Sequence, residues 1–182
     1  MKTDLSTYDN SWYKPGGNTL KRIIWYFINH LFFTNGLFPF SGFKIWLLRL
    51  FGAKIGRGVN IKPGVHVKYP WNLKVGEFTW IGENVWIDNL VKVDIRSNVC
   101  LSQGAMLLTG NHNYKKATFD LMVGEIVLDD GTWIGAKAVV CPGVTCREHS
   151  VLSVGAIATT DLAARGIYRG NPAQKVKERV IG

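Results

Sequence analysis

The stretch Val-Gly-Glu-Phe-Thr-Trp-Ile-Gly-Glu-Asn-Val-Trp-Ile, residues 75–87, carries its aliphatic side chains six positions apart, at Val75, Ile81 and Ile87. Reading outward toward the amino terminus, a two-residue slip leads to Val67, Ile61 and Ile55 in the same count. Toward the carboxyl terminus the sixes run on through Val93, Val99 and Ala105, break, and resume at Leu128, Ile134, Val140, Cys146, Leu152 and Ala158. A helix repeats near 3.6 residues and a simple strand near 2, so neither predicts a strict six. A hexapeptide repeat predicts a parallel β-helix, whose coils stack and share one core. A second, mostly smaller residue follows four positions later, as at Val59, Val65, Thr79, Val85, Thr132, Ala138 and Val144; Trp71 and Gln103 fit that series badly. Gly58, Gly64, Asn84, Gly131, Gly143 and Gly155 stand three after the aliphatic position, where a corner needs backbone that a β-carbon resists. Fifteen such units at three per coil predict about five coils. A β-sandwich with coincidental spacing is the competing reading, but strands of variable length would not hold this register.

Ile-Gly-Glu-Asn-Val-Trp at 81–86, Trp-Ile-Gly-Ala at 133–136, Cys-Pro-Gly-Val-Thr at 141–145 and Gly-Asn-Pro-Ala at 170–173 resemble the hexapeptide acyltransferases. Trp-Ile-Asp-Asn at 86–89, Leu-Ser-Gln-Gly at 101–104 and Thr-Gly-Asn-His-Asn-Tyr at 109–114 narrow the resemblance to colanic-acid-type exopolysaccharide O-acetyltransferases. The resemblance covers about residues 50–180. It implies a left-handed β-helix, assembly as a homotrimer, and transfer of acetyl from acetyl-CoA to a sugar hydroxyl. The repeats specify the fold more strongly than the acceptor, because one solenoid carries many acceptors.

The chain has 22 Lys and Arg against 13 Asp and Glu, a net charge of +9. That favours acidic partners, among them the phosphates of coenzyme A and anionic lipid. Nucleic acid fits worst: no recognised binding motif is present and the basic residues are scattered along the repeats. Cys100, Cys141 and Cys146 are an odd set without Cys-x-x-Cys spacing, so disulfides are not implied. The polar start Met-Lys-Thr-Asp-Leu-Ser-Thr lacks the apolar core of a signal peptide, which predicts a cytoplasmic protein, with the inner face of the cytoplasmic membrane as a peripheral site.

The chain divides into an arm with apolar and basic helical segments at 1–51, a solenoid at 52–162 with a loop inserted at 110–125, and a tail at 163–182 read as a short helix. Neither apolar run before residue 52 reaches the length of a membrane span. Two roles fit residues 20–51: covering the open end of the solenoid, or lying in a membrane interface with Trp and basic residues at headgroup level.

The loop at 110–125 is too long for a solenoid corner, and long insertions in a regular scaffold are usually functional. It carries His112 between Asn111 and Asn113. A sugar hydroxyl must lose its proton as it attacks a thioester, and a neutral imidazole can accept it. His112 matches the family's catalytic histidine, which the resemblance implies is the general base. A base needs an orienting partner on its far ring nitrogen; Asn84, Asp88, Asn89 and Glu125 are the candidates, and the sequence does not choose among them. Backbone N–H groups would hold the developing oxyanion. Asn89, Asn111, Tyr114 and Trp86 are candidate acceptor contacts, with Trp80 and Phe119 further aromatic surfaces for a sugar face. For coenzyme A, the resemblance implies contacts at Ala136, Val154, Thr159 and Thr160, with Gly-Asn-Pro-Ala at 170–173 and Lys177 at the end. Thr159-Thr160-Asp161 stands where relatives often have Thr-Lys-Asp, one cation fewer.

The leading expectation is an acetyl-CoA-dependent O-acetyltransferase of surface-polysaccharide synthesis, without a metal, acting on a saccharide that residues 20–51 suggest is lipid-linked. A non-catalytic trimeric, membrane-docked scaffold is the alternative. A zinc carbonic anhydrase on the same solenoid fits less well: only His30, His66, His112 and His149 exist, and no second histidine stands near His112 in the loop.

Overall fold

The computed structural model describes residues 2–182. Sixteen short strands wind into five complete coils and a partial sixth, forming three parallel sheets along a prism. The first sheet stacks Lys54–Ile55, Leu73–Val75, Val93–Ile95, Ile126–Leu128 and Thr145–Cys146. The second stacks Asn60–Ile61, Trp80–Ile81, Cys100–Leu101, Trp133–Ile134 and Val151–Leu152, then Gly166–Arg169 of the sixth coil. The third stacks His66–Val67, Trp86–Asp88, Met106–Leu108, Val139–Val140 and Ile157–Ala158. Each sheet places like on like: Ile55, Val75, Ile95, Leu128 and Cys146 face one another in sequence, as do Val67, Ile87, Leu107, Val140 and Ala158. These side chains are buried, and burying one aliphatic side chain is worth about 1.5–3 kcal/mol. Cys146 sits in its stack as a hydrophobe, and burial pushes its thiol up, leaving it inert.

The count of sixes is corrected at one place. Ile95, Leu101 and Leu107, not Val93, Val99 and Ala105, continue the stacks after Ile87, because a second two-residue slip falls between Ile87 and Ile95. The three displaced residues are also buried: Val93 opens a strand whose three residues are all buried, and Val99 and Ala105 fill the smaller second position. This disposes of Gln103 as a misfit. The corner position three after each inward residue of the first two sheets is left-handed even where it is not glycine, at Phe78, Asn84, Asn98, Lys137 and His149.

Both slips lie at the edge joining the third sheet to the first. There the chain spends eight residues from Val67 to Val75, eight from Ile87 to Ile95, and twenty-one from Leu107 to Leu128. Side chains rivet the enlarged corners together. Asn89, fully buried, accepts from the Tyr69 N–H (3.0 Å) and donates to the Tyr69 carbonyl (2.6 Å). Asn72 donates to the Leu90 carbonyl at 2.8 Å, and the Thr109 hydroxyl donates to the Asp88 carbonyl at 2.8 Å.

Helices α1 (Thr19–Ile28, extended by a π-turn over Asn29–Phe33) and α2 (Ser41–Leu50) close the first coil. Trp25, Phe33, Leu47, Leu48 and Phe51 join the solenoid core. The edge strands beneath are satisfied by side chains rather than by another coil. Trp25 donates to the Val67 carbonyl (2.8 Å), Asn29 accepts from the Val67 N–H (3.2 Å), and Ser41 accepts from the Ile61 N–H (2.9 Å). Lys44, 0 % exposed, donates to the Lys62 carbonyl (2.9 Å), and Arg49 donates to the Ile55 carbonyl (2.8 Å). An unpaired buried backbone group costs about 1–3 kcal/mol, which is why such residues cover this end. The capping role expected of residues 20–51 is present. No helix among the described residues is long and apolar enough to cross a membrane.

The tail is not a helix. Gly166–Arg169 and Gln174–Glu178 form an antiparallel hairpin on the last strand of the second sheet. The charged run Gln-Lys-Val-Lys-Glu is exposed throughout, and Gly166–Arg169 offers it an edge to pair with, so sheet hydrogen bonding prevails over helical composition.

Candidate active site

The longest of the three enlarged corners rises from the prism as a two-stranded ribbon, Gly110–His112 paired with Leu121–Val123, with His112 opposite Leu121. His112 is half-buried. Its Nδ1 lies 2.9 Å from the Phe119 carbonyl oxygen. A carbonyl only accepts, so Nδ1 carries a hydrogen, and in the neutral imidazole Nε2 is the nitrogen that keeps its lone pair. The imidazole lies flat on the Phe119 ring, centroids 4.4 Å apart at 6°, with Tyr8 tilted against it at 5.7 Å. Phe119 adopts φ +51°, left-handed backbone that a bulky side chain resists at a cost of about 1–2 kcal/mol. That conformation delivers both its carbonyl and its ring to His112. The Lys116–Asp120 ion pair (2.8 Å) and the Asn113 N–H donating to the Asp120 carbonyl (2.8 Å) brace the turn.

A cleft of about 360 Å³ opens beside the ring, lined by Tyr8, Asn10, Lys68, Asp88, Asn111 and His112 among others. It collects residues from all three enlarged corners and from the amino-terminal arm. The arm is tied down by the Asp4 N–H donating to the Ala117 carbonyl (2.9 Å) and by the Tyr13 hydroxyl donating to the Leu90 carbonyl (2.7 Å). Burial pushes the Tyr13 phenol up, so it remains a donor.

The orienting partner of His112 is therefore the Phe119 carbonyl rather than any of the side chains expected. Asp88 lines the cleft but pairs with Lys68 at 2.8 Å. Asn84 is an exposed corner residue with φ +57° and does not line the cleft. Glu125 lies beyond the ribbon and makes no hydrogen bond to His112. Among the expected acceptor contacts, Asn111 lines the cleft and its side-chain oxygen accepts from the His112 N–H at 2.8 Å. Asn89 is a buried rivet, removed from any acceptor by its two bonds to Tyr69. Tyr114 projects into solvent from the loop, and Trp86 lines a neighbouring groove beside His66. Tyr8, Tyr13 and Lys68 were missed: the two tyrosines are brought in from a polar arm that leaves no periodic signal, and Lys68 follows Val67 at an enlarged corner where the repeat slips.

A second concavity of about 830 Å³ runs along the second sheet toward the tail hairpin. Trp133, Ala136, Val154, Ile167, Lys177 and Arg179 line it, giving an apolar floor with cations at one end. That suits a long amide-bearing arm ending in phosphates. Of the expected coenzyme contacts, Ala136, Val154 and Lys177 are here; Thr159 and Thr160 are exposed beyond the third sheet and do not line this groove. Among the described residues no three His, Cys, Asp or Glu side chains gather as a metal site would need.

No protein-family model matches the chain. It is 34% identical over 165 residues to WcaF of Escherichia coli (strain K12), named as an acetyltransferase of colanic acid biosynthesis, covering 91% of each chain. Among solved structures it superposes on a galactoside acetyltransferase in complex with coenzyme A with a TM-score of 0.77 at 24% identity, covering 87% of this chain and 80% of that one. It also superposes on a hexapeptide-repeat acetyltransferase of Vibrio cholerae complexed with acetyl-CoA, with a TM-score of 0.72 at 21% identity, covering 79% and 80%. These folds are left-handed β-helices, as this one is. Repeat, architecture and whole-length similarity agree: the chain belongs to the hexapeptide-repeat acetyltransferases, the family of the colanic acid biosynthesis protein WcaF.

Proposed function

We propose that this acetyltransferase moves the acetyl group of acetyl-CoA onto a saccharide hydroxyl during surface-polysaccharide synthesis, with His112 as general base. The observation that carries this reading is the His112–Phe119 hydrogen bond, which in the neutral imidazole puts the hydrogen on Nδ1 and leaves Nε2 as the basic nitrogen of a ring that lines the cleft. Nε2 takes the hydroxyl proton as the oxygen attacks the thioester carbonyl. The C–S bond then breaks, and the departing coenzyme thiolate recovers a proton from the imidazolium. Asn111, Asp88 and Lys68 position the sugar. The coenzyme arm lies along Ala136 and Val154 with its phosphates toward Lys177. The assembly is a trimer, in which Thr159 and Thr160 face the groove of a neighbouring copy.

The acceptor is a lipid-linked saccharide presented at a membrane surface. On α1, Leu20, Ile23, Ile24, Phe27 and Leu31 recur at helical spacing and are exposed, as are Phe43, Trp46 and Leu50 on α2 and Leu37 between them. A stripe of this kind with basic neighbours Lys14, Lys21 and Arg22 suits in-plane contact with anionic lipid.

The deciding experiment is acetyl-CoA calorimetry on wild type and Lys177→Ala, with the oligomeric state measured on the same samples. Saturable binding to a trimer, weakened roughly five- to tenfold by the substitution, is expected from losing one phosphate contact. A well-folded trimer that binds no acyl-CoA would hand the case to the scaffold reading. Flotation with phosphatidylglycerol vesicles, with and without residues 1–51, checks the membrane contact; equal behaviour removes it.

A further inference from the structure

A groove of about 380 Å³ runs between α1 and the two lower corners of the riveted edge, beside the transfer cleft. Arg22, Tyr26, His66, Lys68, Tyr69 and Trp86 line it. Lys68, Tyr69 and Asp88 line the groove and the His112 cleft alike, so the two adjoin across these residues. We propose that this groove is an anion subsite for the acceptor: it holds the phosphate or diphosphate ester on which the saccharide is carried, while the sugar reaches His112. The proposal rests on the acetyl-transfer reading above and adds the class of molecule that site accepts.

Charge is the first argument. Lys68 and Asp88 pair at 2.8 Å and cancel, which leaves the Arg22 guanidinium as the charge in excess. Among the described residues its one polar partner is the Thr19 hydroxyl at 3.1 Å, so most of its N–H groups remain to be used. The second argument is an unmet polar atom. His66 keeps a buried Nδ1 with no partner among the described residues. Burial holds its pKa below the usual histidine value, so the ring is neutral at pH 7 and retains one N–H to donate. Trp86, its ring 5.1 Å from His66, and Tyr26 are both exposed and add aromatic surface for a sugar or an apolar ester. The third argument is placement. Arg22 and Tyr26 project from α1, the helix that also carries the exposed stripe Leu20, Ile23, Ile24, Phe27 and Leu31. An ester held by Arg22 therefore has the transfer cleft on one side and that apolar stripe on the other.

The test is calorimetric titration of the full chain with geranyl diphosphate and with inorganic pyrophosphate, alongside acetyl-CoA. Wild type should bind geranyl diphosphate saturably, undisturbed by saturating coenzyme A. Arg22→Gln should weaken that binding about tenfold or more, as loss of a charged phosphate contact does, while Arg22→Lys keeps most of it. Acetyl-CoA affinity should be the same in all three proteins. Tighter binding of the prenyl ester than of pyrophosphate assigns the subsite to a lipid-linked acceptor; equal binding assigns it to soluble sugar phosphates, and both outcomes support it. Absence of binding by wild type, equal binding by wild type and Arg22→Gln, or displacement by coenzyme A overturns it. A protein that binds geranyl diphosphate but not acetyl-CoA keeps the subsite and loses the transfer reading; the converse keeps transfer and loses the subsite.

Discussion

Leu107 and His112 stand five residues apart and are held by different physics. Leu107 lies between Ile87 and Val140 in a column of aliphatic side chains, each supported above and below by its like. His112 belongs to no column. One hydrogen bond, one flat stack on Phe119 and one tilted contact with Tyr8 orient it. Repetition makes the core redundant, and the proposed chemistry sits where repetition lapses and a few unrepeated contacts do the positioning.

That contrast can be broken by substitution on either side. His112→Ala should lower kcat by about 10²- to 10⁴-fold, the usual share of a general base, with acetyl-CoA affinity unchanged. Activity equal to wild type would show that the ribbon is not the catalytic element. Leu107→Ala should cost about 2–5 kcal/mol of stability, measured by denaturant titration, because its neighbours in the column leave little room to collapse. Per-molecule activity of the folded fraction should survive. Phe119→Gly separates ring from carbonyl: it relieves the left-handed backbone and removes the stack. Stability should hardly change, while kcat falls about two- to tenfold, in line with the worth of an aromatic contact. A kcat loss as large as that of His112→Ala would mean the carbonyl had moved as well.

The smallest effect concerns the capped end. Burial lowers the Lys44 pKa from its ordinary 10.5 to about 8. Between those values the unfolded chain binds a proton that the folded one has released, so raising the pH through this window favours the fold. Below about pH 8 both states are protonated and the contribution is flat. Wild type should therefore gain melting temperature relative to Lys44→Met from pH 8 to 10, by a few degrees at most. Parallel melting curves would show that the amine titrates normally despite lying under α2.

The columns were legible because they depend on side-chain type at fixed spacing. Twelve of the fifteen inward positions could be read directly; the slip before Ile95 was hidden because Val93, Val99 and Ala105 are aliphatic and buried too. His112 was legible as the histidine in the one long interruption. Its partner was not, since a backbone carbonyl has no letter in a sequence, and Phe119 read only as an aromatic surface. Asn89 was misread for a related reason. An Asx residue that rivets two corners and one that faces a ligand look alike until the partners are seen. Tyr8 comes from more than a hundred residues away, and no local pattern announces it.

The three enlarged corners have a further consequence. On either side of each one the strands return to the same facing neighbours, Val67 to Ile87 to Leu107 before the edge and Val75 to Ile95 to Leu128 after it. The edge thus behaves as a margin on which length can be written without disturbing the text. Insertions or exchanges there reshape the cleft while the columns keep their alignment, so acceptor preference and foldability can change separately in this chain.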